Sequence, residues 1–203
     1  MASILDFLDT EKGKEFIQKS SEEVNESPDK VKSVLGMALP MIMGALKKNT
    51  DSPEGAQNLK KELDKDKHDG SVLDKIGSGR LSGLLGEGSG ILGHVLGGSQ
   101  SKIASAVGSA TGMDPAKVNK LLQMAAPVVM GLLGRQKRKE NIESSSGISS
   151  LVGSVLGTNS SHDQSMLETF MNSDKGGKIA KDVAGKIFGD KDKPKGLGDF
   201  FKG

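Results

Sequence analysis

The chain has 203 residues, a formal net charge of +2, and acidic and basic residues that interleave along its length, which argues against nucleic acid as a main partner. It contains no Cys, so disulfides, thiolate metal sites and a Cys nucleophile are excluded, and a reducing compartment is favoured. Hydrophobic residues make up only 34% and the 28 glycines are about twice the usual share, so we expect part of the chain either to be mobile or to need a partner for burial.

The N-terminal stretch and the apolar runs both indicate a cytoplasmic protein. Residues 1–9 carry acids where a signal peptide would need a basic region. The longest apolar runs, residues 34–46 and 121–133, span 13 residues each and contain Gly and Pro, whereas a membrane-spanning helix needs about 20 residues. Both runs are therefore expected to be buried core.

The most apolar part of the chain occurs twice. Residues 28–46 align without a gap on residues 115–133, at an offset of 87, and ten of the 19 aligned residues are identical. The sequence therefore predicts two pseudo-repeats with one supersecondary design. Ahead of each core segment the spacing predicts an amphipathic helix, built on Phe16, Ile17 and Val24 in the first unit and on Ile103, Ala104 and Val107 in the second.

Each core segment opens with a strong helix start. Ser27 and Asp114 are good N-caps, and each is followed by Pro at the first helical position. Further along, Pro40 and Pro127 disfavour helical geometry. We therefore expect a break or a sharp kink at each Pro and a hairpin of two short helices in place of one rod.

The connectors after the core segments differ from each other. Residues 52–67 are charged and are predicted to be helical around Leu59 and Leu63, while residues 144–157 are Ser/Gly-rich with apolar residues at helical spacing. Between the units, residues 77–98 hold nine glycines. This composition predicts a flexible joint or helix-capping loops, and residues 91–96 are expected to form only a short apolar turn.

The C-terminal part of the chain resembles the beginning of a third unit. Residues 162–170 match residues 68–76, and residues 167–179 resemble residues 4–16. We thus expect an all-α protein with four parts: a diverged first repeat (1–76), a glycine-rich joint (77–90), a second repeat (91–165) and a truncated third repeat (166–203).

Three histidines are the obvious candidates for chemistry. His68-Asp69 and His162-Asp163 are related by the repeat, which makes a pseudo-symmetric metal site imaginable, and His94 lies in the glycine-rich stretch. Metal ligands come in sets of three or four at closer spacing. Asp as a helix N-cap, with His beside it in a loop, is the better explanation. The sequence predicts no metal, cofactor-binding or catalytic residue.

Other motifs also favour a protein that is not an enzyme. The glycines of residues 77–90 lack the spacing of a phosphate-binding loop. Paired acids such as Glu22-Glu23 lie on charge-alternating surfaces. The basic run 135–139 could touch phosphate or anionic lipid, but a solubilising cluster at a helix end explains it equally well.

Three stretches carry a family resemblance: Gly90-Ile-Leu-Gly-His-Val-Leu-Gly97, Ala110-Thr-Gly-Met-Asp-Pro-Ala-Lys-Val118 and Leu121-Leu-Gln-Met-Ala-Ala-Pro-Val-Val-Met-Gly-Leu-Leu-Gly-Arg-Gln-Lys137. They closely resemble the bacterial domain-of-unknown-function family 937 of the YidB-like superfamily. The resemblance implies a bacterial source and a small all-helical domain. Because the family has no assigned activity, it implies no catalytic residue.

Two classes of function remain open. The first is a non-enzymatic structural or interaction protein that forms homo-oligomers or filaments through its half-finished third unit. The alternative is a membrane-surface or ligand-binding helical module that uses residues 83–98 and 148–156 as amphipathic helices.

Overall fold

The computed structural model describes residues 4–77 and 81–156, and within these ranges the chain is helical without a β-strand. The all-α prediction is therefore confirmed. The predicted third unit and the His162-Asp163 pair lie outside the described residues. The helices are α1 (Asp6–Asp9), α2 (Glu11–Val24), α3 (Pro28–Thr50), α4 (Pro53–Leu63), α5 (Ser71–Lys75), α6 (Leu85–Leu96), α7 (Gln100–Thr111), α8 (Pro115–Lys139) and α9 (Ser145–Leu156).

The two long helices α3 and α8 begin as the sequence predicted. The Ser27 hydroxyl accepts a hydrogen bond from the Lys30 amide at 3.4 Å, and the Asp114 carboxylate accepts one from the Ala116 amide at 2.8 Å. Each cap satisfies an amide that has no partner inside the helix, and the Pro that follows has no amide to satisfy. The helix starts are therefore confirmed.

The predicted break at Pro40 and Pro127 is wrong. Helix α3 runs through Pro40 for 23 residues and α8 runs through Pro127 for 25 residues, so neither core segment forms a hairpin. A Pro inside a helix costs about 3 kcal/mol. Burial of one Leu-sized side chain contributes about 1.5–3 kcal/mol, and each helix buries many apolar side chains on both sides of its Pro. Packing therefore outweighs the local cost.

The shorter helices pack their apolar sides against this pair, as their spacing predicted. The helical predictions for α2, α4, α7 and α9 are confirmed, and α9 lies against α3 and α4. Their shared feature is a row of residues shielded from water, which comprises Phe16, Ile17 and Val24 of α2, Leu59 and Leu63 of α4, Ile103, Ala104 and Val107 of α7, and Ile148, Leu151, Val152, Val155 and Leu156 of α9.

Helix α6 corrects the prediction for the glycine-rich stretch. Residues 85–96 form one 12-residue helix, which spans part of the expected joint and the whole of the expected turn. Leu92 and Leu96 are 0% and 7% exposed, and Leu85, Ile91 and Val95 pack on the core as well. Their burial offsets the roughly 0.5–1 kcal/mol that each helical Gly costs relative to Ala.

Close approach of α6 to α8 explains one of these glycines. A Cβ atom at Gly88 would overlap the carbonyl oxygen of Gln123 on α8. On the outer side of the same helix, a Cβ atom at Gly90 would meet nothing within 4 Å. Close packing on α8 therefore requires glycine at position 88, whereas no contact among the described residues requires it at position 90.

Among residues 4–77 and 81–156, no helix combines the length and the apolar character needed to cross a lipid bilayer. The apolar stretches of α3 and α8 are instead the centre of the helical core, which confirms the expectation that both are buried.

The same substitution at Gly88 and Gly90 should act in opposite directions. We expect Gly88→Ala to lower the free energy of unfolding by about 1–3 kcal/mol, because the new methyl group forces α6 away from α8. Gly90→Ala should raise it by about 0.5–1 kcal/mol through helix propensity. Urea unfolding followed by circular dichroism measures both, and shifts of equal sign would contradict the packing described for α6.

Candidate functional site

His68 is the one histidine of the described residues that lies in the core, with 1% of its surface exposed. It ends a 3-10 turn, Asp66–His68, that packs on α8. The Arg138 guanidinium donates to the His68 carbonyl oxygen at 3.1 Å, and a Cβ atom at Gly134 would overlap the same oxygen. Helix α8 thus holds the backbone of this turn at close range.

The imidazole of His68 faces a carboxylate without bonding to it. His68 Nδ1 lies 3.9 Å from Glu87 Oε1 of α6, and the Lys67 ammonium lies 3.3 Å from the same oxygen. Within the described part of the chain, both imidazole nitrogens and Glu87 Oε1 are buried without a hydrogen-bond partner. An unsatisfied buried polar group costs about 1–3 kcal/mol, so the two imidazole nitrogens are destabilising polar groups in this part of the core.

Burial keeps this imidazole neutral. It lowers the pKa of His68 below 6.5, and the nearby Lys67 ammonium acts in the same direction. The Glu87 and Glu62 carboxylates raise the pKa, and the Lys65 ammonium lowers it further. A neutral buried imidazole could act as a base or a metal ligand. However, residues 4–77 and 81–156 contain no group of three or more His, Cys, Asp or Glu that could hold a metal ion.

The structure corrects the prediction for His68 and Asp69. Asp69 does serve the start of a helix, since its carboxylate accepts from the Ser71 amide at 2.7 Å, but the N-cap position of α5 is Gly70, at φ 99°. His68 lies beside Asp69 at the end of a 3-10 turn, and its side chain is buried in the core. Its burial has no periodic signal in the sequence, because it depends on how the turn meets α6 and α8.

His94 lies apart from this cluster, exposed on α6. The structure therefore places His94 at the surface and His68 in the core, and it does not unite them in one site. His162 lies outside the described residues, so the idea of a pseudo-symmetric metal site remains an untested hypothesis.

The basic run 135–139 includes a lysine that forms ion pairs within the protein, so the run is not simply a solubilising cluster. Lys137 is 4% exposed, and its ammonium lies 2.7 Å from Asp64 and 3.4 Å from Glu143. Lys60 contacts the same two carboxylates at 2.9 Å and 3.3 Å. The four side chains tie α4, α8 and the loop before α9 together.

Hydrogen bonds between the members of this ion-pair group shift the pKa values of three of them. Hydrogen bonds from Lys137 and Lys60 lower the pKa of Asp64, and hydrogen bonds from Lys60 and Lys137 lower that of Glu143. Hydrogen bonds to Asp64 and Glu143 raise the pKa of Lys60. The charged forms of Asp64, Glu143 and Lys60 are therefore stabilised, and together with Lys137 these side chains form a structural clasp. Sequence reasoning missed it because the partners come from three separate segments.

The outer surfaces of the helices differ sharply in charge. Helix α2 has seven charged residues among 14, whereas α6 has one, Glu87, besides His94, and α7 has only Lys102. We call the exposed side of α6 and α7 the small-residue face. Its members share small uncharged side chains and comprise Gly86, Ser89, Gly90 and Gly93 of α6 and Ser101, Ser105 and Ser109 of α7.

Comparison with known proteins gives one match. The model of the family described as bacterial protein of unknown function (DUF937) matches residues 6–136 of the 203. No curated protein and no solved structure matches the chain significantly. The match confirms the resemblance seen in the sequence, and the family description assigns no chemistry to any residue described above.

His68 should make the protein less stable in mild acid. Its pKa is lowered in the folded state, so the unfolded chain takes up the proton first. The free energy of unfolding should then fall by up to about 1.4 kcal/mol per pH unit below the unfolded pKa of about 6.5. In His68→Leu this loss should disappear between pH 7 and pH 5. Urea titrations across this range measure it.

His94→Gln is the matched control, because it removes an exposed imidazole and should keep the pH dependence of the unaltered chain. If the curves of His68→Leu and the unaltered chain run parallel, His68 does not titrate as its burial requires.

Loss of the buried ammonium at position 137 should weaken the clasp. We expect Lys137→Met to lower the free energy of unfolding by about 1–2 kcal/mol. This value lies at the low end for the loss of a charged hydrogen-bonding group, because Asp64 keeps Lys60 as a partner. Lys65→Met, which removes the exposed pair with Glu62, is the control and should change it much less. Equal effects in thermal unfolding would contradict the role of the clasp.

Proposed function

We propose that this chain, which belongs to the DUF937 family of bacterial proteins, is a non-enzymatic structural or interaction protein that forms homo-oligomers. The observation that carries the proposal is the small-residue face of α6 and α7. It is exposed and carries little charge, whereas the outer sides of α2 and α4 carry dense charge.

The exposed glycines of this face make no close contact of their own within the described chain. Gly86, Gly90 and Gly93 lie on one side of α6, and a Cβ atom at any of them would meet nothing within 4 Å. Three helical glycines cost about 1.5–3 kcal/mol relative to alanines. A second helix packed on this side would gain the close backbone approach that glycine allows.

A second copy of the chain is the partner that fits best. The centres of protein interfaces are depleted of charge, and a charged partner would leave its own charges unpaired on this face. The same face of another copy also has small side chains and little charge, and packing about a two-fold axis joins identical patches. Ile91 and Val95, partly buried on the same helix, supply apolar area beside it.

The remaining features support a role without catalysis. His68, whose pKa burial lowers, is shielded in the core, and Lys137 is paired with Asp64 and Glu143. We also propose that α2–α3–α4 and α7–α8–α9 are two pseudo-repeats, with residues 166–203 as a truncated third repeat. A chain without Cys fits the cytoplasm as its compartment.

The alternative, a membrane-surface or ligand-binding module, receives less support. It needs the apolar sides of α6 and α9 to face outward. Leu92 and Ile148 are each 0% exposed, and Leu156 is 8% exposed, so these sides are occupied by the core. A helix that lies on a membrane surface needs its apolar side free to enter the lipid. The apolar sides of α6 and α9 are not free in this way.

A charge placed on the small-residue face should dissociate the oligomer. We expect the unaltered chain to show a mass above that of a monomer in size-exclusion chromatography with light scattering, and Gly93→Lys to return it to the monomer. Gly93→Ala adds no charge but removes the close backbone approach at this position, so it should weaken the oligomer less than Gly93→Lys does.

Gln18→Lys adds the same charge to an exposed position of α2 and is the control for net charge. A monomer at every concentration of the unaltered chain would overturn self-association. Recovery of the protein with anionic phospholipid vesicles in flotation, lost in Gly93→Glu, would favour the alternative.

A further inference from the structure

One side of α8 is covered by the segment that leads from α4 to α5. Val72 of α5 lies close to Gly131, where a Cβ atom would come within 2.5 Å of the valine methyl group, and the 3-10 turn before it rests on Gly134. Leu73 and Ile76 of this segment are 4% and 1% exposed. Residues 68–76 thus act as a cover for α8.

The corresponding side of α3 is covered less completely. At the offset of 87, Met124, Pro127 and Val128 of α8 align with Met37, Pro40 and Met41 of α3. The three residues of α8 are buried, while all three of α3 are partly exposed. Gly44, the buried counterpart of Gly131, again has no side chain. We call Met37, Pro40 and Met41 the α3 apolar face.

The chain contains a second copy of the covering segment. Residues 162–170, His-Asp-Gln-Ser-Met-Leu-Glu-Thr-Phe, match residues 68–76, His-Asp-Gly-Ser-Val-Leu-Asp-Lys-Ile, in four of nine positions. The apolar residues that cover α8 have apolar counterparts at the same spacing, which are Met166, Leu167 and Phe170. The composition of this segment therefore suits an apolar helix surface.

The described chain ends in the right place to deliver this segment. Helix α9 packs on α3, and a Cβ atom at Gly153 would lie 3.7 Å from the Lys47 side chain. Five residues separate Leu156 from His162, which can span up to about 17 Å when extended. In the first unit, four residues separate Leu63 from His68, so the two connections are of similar length.

We infer that the α3 apolar face is the docking site for residues 162–170 of the same chain. Each long helix would then be covered by the segment that follows the other one, α8 by residues 68–76 and α3 by residues 162–170. This contact is separate from the small-residue face, and it closes α3 within one molecule.

Thiol labelling in the full-length chain tests the inference, because the natural sequence has no Cys. Met41→Cys places a single thiol on the α3 apolar face. Adding Leu167→Asp and Phe170→Asp should release the segment, since two carboxylates cannot be buried on apolar surface. We expect the thiol to react with a maleimide at least five-fold faster in the triple variant.

Lys191→Asp and Lys195→Asp, combined with Met41→Cys, are the control for acidic changes outside the segment and should leave the labelling rate unchanged. Ala38→Cys, at a buried position of α3, with and without the Leu167 and Phe170 changes, shows whether the fold itself has loosened. Equal labelling rates of the Met41→Cys thiol with and without those changes would overturn the inference.

Light scattering on the same samples separates this inference from the proposed function. Docking within one chain predicts that Leu167→Asp with Phe170→Asp leaves the oligomeric state unaltered. Gly93→Lys should dissociate the oligomer without changing the labelling rate of the Met41→Cys thiol. If the Leu167 and Phe170 changes dissociate the oligomer, the segment docks on a neighbouring copy, and docking within the same chain is overturned.

Discussion

Helices α3 and α8 pack against each other through side chains that water hardly reaches. Val34 and Leu35 of α3 and Leu121 and Leu122 of α8 are each 0% exposed. Every shorter helix outside the N-terminal α1 contacts one of these two, so the rest of the fold depends on their burial. The same burial carries both helices through Pro40 and Pro127, because a lost backbone hydrogen bond costs less than the separation of so many apolar contacts.

Glycine allows a chain with few large side chains to close this core. Gly88 lets α6 approach the backbone of α8, and Gly134 lets the turn that ends at His68 do the same. Dense packing recovers contact area that bulky residues would otherwise supply. The close approach at Gly134 has a polar consequence, since it places the His68 imidazole where neither nitrogen finds a partner among the described residues.

The surface divides into two kinds of region with different physical uses. Charged helices such as α2 and α4 keep the protein hydrated, and the clasp around Lys137 fixes α4 to α8 by ion pairs. The small-residue face and the α3 apolar face offer little charge instead, the first with small side chains and the second with the side chains of Met37, Pro40 and Met41. The first suits a second copy of the chain and the second suits a segment of the chain itself, so the two proposals use different surfaces and different chemistry.

Local patterns in the sequence determined which segments are helical, where α3 and α8 begin, and which sides of α2, α4, α7 and α9 face inward. These properties follow from side-chain spacing and capping groups within a few residues of each other. Only the tertiary structure decided that α3 and α8 continue through Pro40 and Pro127, that glycine-rich α6 is a helix, and that His68 and Lys137 are buried. Each of these outcomes depends on contacts between segments far apart in the chain, whose free energy exceeds the local preferences that the sequence displays.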